Sequence, residues 1–252
     1  VRRDAMWTFS PWVLLPPTYS LCTAAGLWIV YFVALEDEMI APLTFNVKQR
    51  GQASFPLFSI AGNFPPASCI FSEVMNLAAF GGFIIALLRY FQLKHLTDKP
   101  FLNVISLAAF SVGCFGMTLV GNFQLFNQER IHNFGTSLTF GLGTVFCWVQ
   151  SYMTLRVNLQ NRGLKVAVVR FLLCGCITVC LMLYPFLLSQ DITLPAARCQ
   201  WSLVMFFLMF LSTFAIDFQH YHFHVMCREM SSFPISTSET VTDMSRSQSN
   251  QL

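Results

Sequence analysis

The run from Cys69 to Tyr90 constrains this chain more than any other feature. It holds about 20 largely apolar residues. At 1.5 Å per residue, a helix of that length crosses a bilayer's hydrocarbon core. Pro65-Pro66 precedes it and cannot sit inside a helix, so a loop ends there. Arg89-Tyr90 closes it with a basic-aromatic exit to the interface. The rest of the chain repeats this plan. Of its 252 residues, 55% are hydrophobic and 11% charged, against about 25% charged in soluble domains. So few charges cannot cover a soluble fold. The fold class expected is all-α: a polytopic membrane protein, a bundle of six transmembrane helices with both termini cytosolic.

In order, the expected spans are about 17–35, 69–91, 101–121, 134–155, 166–188 and 201–218. Pro16-Pro17 suits a helix start. The apolar run that follows continues through Trp28 to Phe32, too long for a signal-peptide core, so it reads as a retained span. Residues 1–16 form a cytosolic amino terminus. Residues 36–68 form the longest internal loop, expected to pack as an outer cap. Residues 219–252 form a cytosolic tail rich in Ser, Thr and Gln, expected to be largely disordered. In the fourth span, Gly135, Thr139 and Gly143 fall four apart, the small-residue spacing of close helix packing. No Asn-x-Ser/Thr glycosylation acceptor occurs.

The placement of Lys and Arg orients the bundle. Eleven fall at the termini and in the second-to-third and fourth-to-fifth connections, against four on the opposite side. The positive-inside rule puts the richer side in the cytosol. Of nine cysteines, six lie inside apolar runs, where Cys acts as a small hydrophobe. Cys69 and Cys199 lie near non-cytosolic ends and are candidates for a bridge on the oxidising side.

Hydrolase, protease and phosphate-loop signatures are absent. No catalytic residue, cofactor or bound metal is expected, and the chain reads as no enzyme. Nucleic acid is not an expected partner. Glu73 and Asn76, three apart near the start of the second span, are candidates for a polar, cation-attracting pathway. The alternative is a carboxylate favoured by a helix amino-terminal dipole and solvated by head-group water. Asp217, His220, His224 and Cys227 share one helix face and are zinc-compatible, but one helix rarely supplies a whole tetrahedral site. Cys227, beside the membrane boundary, is a candidate for palmitoylation. Arg156, Arg162, Lys165 and Arg170 make a basic connection beside the inner leaflet. They either contact phosphoinositide head groups or simply set topology. Leu88 to Lys94 fits a proposed cholesterol pattern that is too permissive to discriminate.

Several stretches carry a resemblance. They are Ala25 to Tyr31, Ser59 to Gly62 followed by Pro65 to Cys69, Val120 to Gln124, Ile131-His132-Asn133 leading into Gly135 to Gly141, Gln200-Trp201 and Phe214-Ala215. In combination the chain resembles the damage-regulated autophagy modulator (DRAM) family of six-span membrane proteins, and most of all its tentonin branch. The resemblance implies a component or modulator of a mechanosensitive cation channel in the plasma membrane. Its alternative is a non-conducting scaffold regulating autophagy or phosphoinositide-kinase complexes, in which case a lysosomal or endosomal membrane is the other address. Channel subunits or further copies of this chain are the implied protein partners. In the family Gln is more usual where this chain has Glu73, which confines any role of that carboxylate to this branch.

Overall fold

The computed structural model describes residues 10–44, 54–157, 163–219 and 221. Helices dominate it, and among the described residues there is no strand, only an isolated bridge between Ile40 and Ser54. The helices are α1 (Leu15–Glu36), α2 (Phe58–Ala61), α3 (Ala67–Leu93), α4 (Pro100–Asn122), α5 (Glu129–Ser137), α6 (Gly143–Val157), α7 (Gly163–Ser189), α8 (Thr193–Ser212) and α9 (Phe214–Phe218). A turn of 3₁₀ helix, Pro11–Val13, leads into α1. Five stretches are long and apolar enough to cross a membrane: Pro11–Glu36, Ala67–Leu93, Pro100–Asn122, Gly163–Ser189 and Thr193–Phe218. The protein is therefore a multi-pass membrane protein, and these stretches carry exposed Phe, Leu, Val and Met side chains suited to contact with lipid.

α5 and α6 are joined without a break by a π-helical segment, Leu138–Leu142. Its cause lies in the packing against α4. A Cβ added to Gly116 would stand 2.7 Å from the Gly135 carbonyl oxygen, and one on Gly135 2.8 Å from that of Gly116. The two backbones thus touch, which only glycine allows. Thr139 Oγ1 lies 3.3 Å from the Gly113 carbonyl and 2.9 Å from that of Gly135. Gly143, the third residue of the small-residue row, points instead at Phe207 of α8, which would lie 3.1 Å from an added Cβ. The wider π turn re-aims the helix between these two contacts.

α1, α3, α4 and α7 begin and end within three residues of the spans read from the sequence. The fourth expected span, 134–155, is not among the five apolar stretches, and its helical run begins earlier, at Glu129. The last also differs: α8 starts at Thr193, so the loop expected over Ser189–Gln200 shrinks to the turn 190–192. Leu194, Ala196 and Ala197 are buried and supply the apolar face of this first turn and a half. Arg198 and Gln200 made the segment look like loop, but they serve as anchors (below). Two helices end on the same device. Glu38 and Asp191 both have φ of 56°, in the left-handed region. Met39 N–H returns to the Ala34 carbonyl at 3.0 Å and Ile192 N–H to that of Leu187 at 3.0 Å. These are Schellman closures of α1 and α7 with an acidic residue where glycine is usual.

The described parts of the connection between α1 and α3, residues 37–44 and 54–66, pack on the bundle as a cap. All four residues of α2 are buried. Phe58 N–H donates to Gln200 Oε1 at 3.0 Å, Trp201 Nε1 to the Pro56 carbonyl at 3.1 Å, and Arg198 Nε to that of Leu43 at 2.9 Å. Trp201 stacks on Trp28 with centroids 4.9 Å apart and meets Tyr31 and Phe58 edge-on. This aromatic plug ties α1, α2 and α8 together under the cap.

Candidate functional site

At the end of the bundle opposite the cap, α3, α4, α6, α7 and α9 converge on a closed polar cluster. Arg89 and Arg170 are both wholly buried. Burying a charge is costly unless it is paired and hydrogen-bonded, and here nearly every donor has a partner. One carboxylate serves both guanidiniums: Arg89 Nη1 lies 3.3 Å from Asp217 Oδ1, and Arg170 Nη2 pairs with Asp217 Oδ2. Arg89 further donates from Nε to Gln150 Oε1 at 3.1 Å, from Nη1 to Gln92 Oε1 at 2.7 Å and from Nη2 to Thr154 Oγ1 at 3.2 Å. Arg170 donates from Nε to Thr213 Oγ1 at 2.9 Å and from Nη1 to Thr154 Oγ1. An outer ring holds these acceptors in turn. Gln92 Nε2 donates to the Asp217 backbone carbonyl at 2.6 Å and Gln150 Nε2 to Ser106 Oγ at 2.8 Å.

Two cations against one anion leave one positive charge over. The aromatic face of Phe214 takes part of it, with the Arg170 guanidinium carbon 4.6 Å and that of Arg89 5.4 Å from its centroid. The arrangement is a clamp. It fixes the short helix α9, which carries Asp217 and Phe214, across the ends of three long helices. Beside it, Ser10 Oγ donates to the Tyr221 carbonyl at 2.6 Å, which brings the two ends of the described chain together.

The cluster went unread in the sequence because its members look ordinary one at a time. Arg89 reads as an interfacial exit, Arg170 as part of a basic loop, Asp217 as the end of a span. A signal was nevertheless present. Arg89 with Gln92, and Gln150 with Thr154, sit three and four apart, so each pair shares a helix face. Each pair lies about a turn inside the same end of its apolar run.

The residues expected to carry function are dispersed. Glu73 is exposed and makes no ion pair among the described residues. Asn76 turns toward α4 and exchanges two 3.1 Å hydrogen bonds with Asn122, to which Ser72 Oγ also donates at 2.7 Å. The expected Glu73–Asn76 pathway is thus not assembled. The interface with α4 runs along Ser72, Met75 and Asn76, and Glu73 points away from it.

The head-group reading needs correction at Arg170, whose side chain has no exposed surface and is committed to Asp217, Thr154 and Thr213. Lys165 is exposed. Arg156 is exposed and bonded to Asp98 at 2.9 Å, and that hydrogen bond holds the Asp98 carboxyl below its ordinary range. Arg162, His220, His224 and Cys227 lie outside the described residues. The expected bridge between Cys69 and Cys199 is not formed; both are free thiols. Cys199 instead packs on α7, with its Sγ 3.4 Å from the Cys180 carbonyl.

Between cap and clamp lies a cavity of about 70 Å³. Tyr19, Met75, Phe110, Phe140 and Phe207 are among its walls, and Thr139 of the π segment borders it. The Tyr19 hydroxyl is satisfied by the Ala78 carbonyl at 3.1 Å and the Thr139 hydroxyl by that of Gly135. The cavity therefore offers little to a water or an ion.

Comparison with known proteins gives the same architecture a lineage. Residues 11–221 match the Frag1/DRAM/Sfk1/Cwh43P N-terminal domain. The chain is similar to "Modulator of macroautophagy TMEM150B" of Xenopus tropicalis, 31% identical over 226 residues that cover 88% of this chain and 93% of the relative. The human protein of that name is 29% identical, with 88% and 91% covered. Human "Transmembrane protein 150A" is 29% identical over 226 residues, with 82% and 83% covered. No solved structure matches the chain. With four-fifths of its length inside the matched domain, and its bundle of apolar helices, the chain belongs to the Frag1/DRAM/Sfk1 family of membrane proteins.

Proposed function

We propose that this chain is a non-conducting membrane scaffold that modulates autophagy, and that it crosses the bilayer six times with both termini cytosolic. The closed interior carries the first part. Its buried cations are tied to a shared carboxylate and to neighbouring hydroxyl and amide groups, and the cavity between cap and clamp is small and mostly apolar, which supports a bundle without a wet path among the described residues. The relatives named as modulators of macroautophagy supply the process. The sixth crossing is the continuous run of α5, the π segment and α6. Ser10 touches Tyr221, and two ends on one face require an even number of crossings.

The channel reading requires a pore made with other subunits, because the cavity inside the described bundle is small and mostly apolar. Its address is the plasma membrane, with an endosomal or lysosomal membrane as the alternative. Exposed Lys94, Lys99, Lys165 and Arg156 then face the anionic inner leaflet, phosphoinositides included, and form the surface on which kinase or autophagy partners dock.

Two measurements test this. The purified protein in stretched planar bilayers is expected to pass no current, and deleting it from cells is expected to change autophagic flux. Tension-gated cation currents from the pure protein would overturn the scaffold reading. Unchanged flux would remove autophagy.

A further inference from the structure

A second chemical feature lies near the cap end, apart from the clamp. Cys180 of α7 and Cys199 of α8 are 19 residues apart in sequence and meet across the hairpin. The Cys199 thiol lies 3.4 Å from the Cys180 carbonyl, and the two thiols are close enough to interact electrostatically. The hairpin register is pinned by the Schellman closure at Asp191. Both thiols are half-buried. Cys147 and Cys174, by contrast, have no exposed surface at all. A thiol must be reachable to be oxidised, so access separates the two pairs.

The helix between Cys180 and the turn carries Pro185. A proline inside a helix removes one backbone hydrogen bond. The outer end of α7 therefore depends on side-chain contacts with α8, and a covalent link just inward of the proline would replace them.

We propose that Cys180 and Cys199 form a reversible disulfide, a redox-modification site that staples the outer ends of α7 and α8. The site rests on the proposed topology, which puts this hairpin on the non-cytosolic side, where small disulfides persist. One thiol loses its proton and, as thiolate, attacks a low-molecular-weight disulfide such as glutathione disulfide. That bond breaks, one glutathione thiolate leaves, and a mixed disulfide forms. The second protein thiol deprotonates and attacks the mixed disulfide at the protein sulfur, forming Cys180–Cys199 and releasing the second glutathione. Two protein thiols are oxidised and one small disulfide is reduced to two thiols. Because α7 carries Arg170 and α8 leads into α9 with Asp217, the staple holds together the two helices that meet again at the clamp.

The test uses the full-length protein in its native membrane. Free thiols are capped with N-ethylmaleimide, the protein is digested without reductant, and peptides are read by mass spectrometry across a glutathione-disulfide titration. A peptide joining Cys180 to Cys199 is expected, rising with oxidant and vanishing with dithiothreitol. Capping of both thiols at every ratio, or a peptide joining Cys199 to Cys69, would overturn the proposal.

Thermal unfolding gives an independent reading. Oxidised wild type is expected to melt several degrees above reduced wild type. Cys180→Ser and Cys199→Ser are each expected to abolish that gap while keeping the reduced melting point. A gap that persists in either variant would assign the effect elsewhere. A link that forms with added oxidant on a hairpin found to face the cytosol would sink the topology and leave the pair standing.

Discussion

Asp217 is the residue on which the end of the bundle opposite the cap turns. One carboxylate answers two buried guanidiniums, so its loss is not the loss of one ion pair. Asp217→Asn leaves two buried cations facing each other without a counter-charge. Removing one partner of a buried pair costs about 3–5 kcal/mol, and the shared geometry puts this variant at the upper end of that range. Thermal unfolding of the detergent-solubilised protein is expected to show it. A combined replacement of Arg89, Arg170 and Asp217 by apolar residues of similar volume is expected to recover most of that loss, since it removes the desolvated charges together. If Asp217→Asn melted with the wild type, the clamp would contribute nothing to stability. Glu73 provides the contrast at the same scale. It was the most conspicuous intramembrane charge in the sequence, yet it has no ion-pair partner among the described residues, whereas the charges of the clamp sat where they looked like topology signals.

At the scale of elements, the long helices were legible because length and apolarity alone decide them. A run of about 20 apolar residues has few alternatives to a helix once it lies in lipid. The start of α8 was not legible, because Arg198 and Gln200 are polar for the sake of the cap they hold. Nor was the clamp, since its contacts join residues far apart in sequence: Arg89 to Gln150 across 61 positions and Gln92 to Asp217 across 125. No periodicity encodes such pairs. The small-residue row was legible at Gly135 and Thr139, and the π segment turned its third member away. This packing gives a sharp expectation. Gly116→Val would drive a side chain into the Gly135 backbone, which has no soft end to yield. It is expected to cost about 1–3 kcal/mol and to loosen α4 from α5. Gly175, with nothing within 4 Å of an added Cβ, is expected to accept Ala with no loss, and with a gain of up to about 1 kcal/mol from helix propensity. Equal melting points for the two variants would mean that the α4–α5 backbone contact is not a fixed feature.

For the whole molecule, the decisive question is how many times the chain crosses, and a single contact bears on it. Five stretches satisfy length and apolarity outright. The run of α5, the π segment and α6 is helical throughout, but its polar start at Glu129-Arg130 and its π turn make it the least obvious crossing. Ser10 and Tyr221 lie 2.6 Å apart through Oγ and a backbone carbonyl. On the proposed topology, the stretch from Ser10 to Tyr221 starts and finishes on one face and so crosses an even number of times. Five crossings would separate those ends by the thickness of the bilayer, about 30 Å. Small epitope tags at the two termini are therefore expected to be reached by antibody only after permeabilisation, both together. A tag inserted beside Phe126, in the turn between α4 and α5, is expected to be reached without it. One terminal tag exposed and the other protected would break the Ser10–Tyr221 contact. It would also put the clamp's ring of helices on the wrong geometry, because α9 could no longer close over the same end that α1 enters.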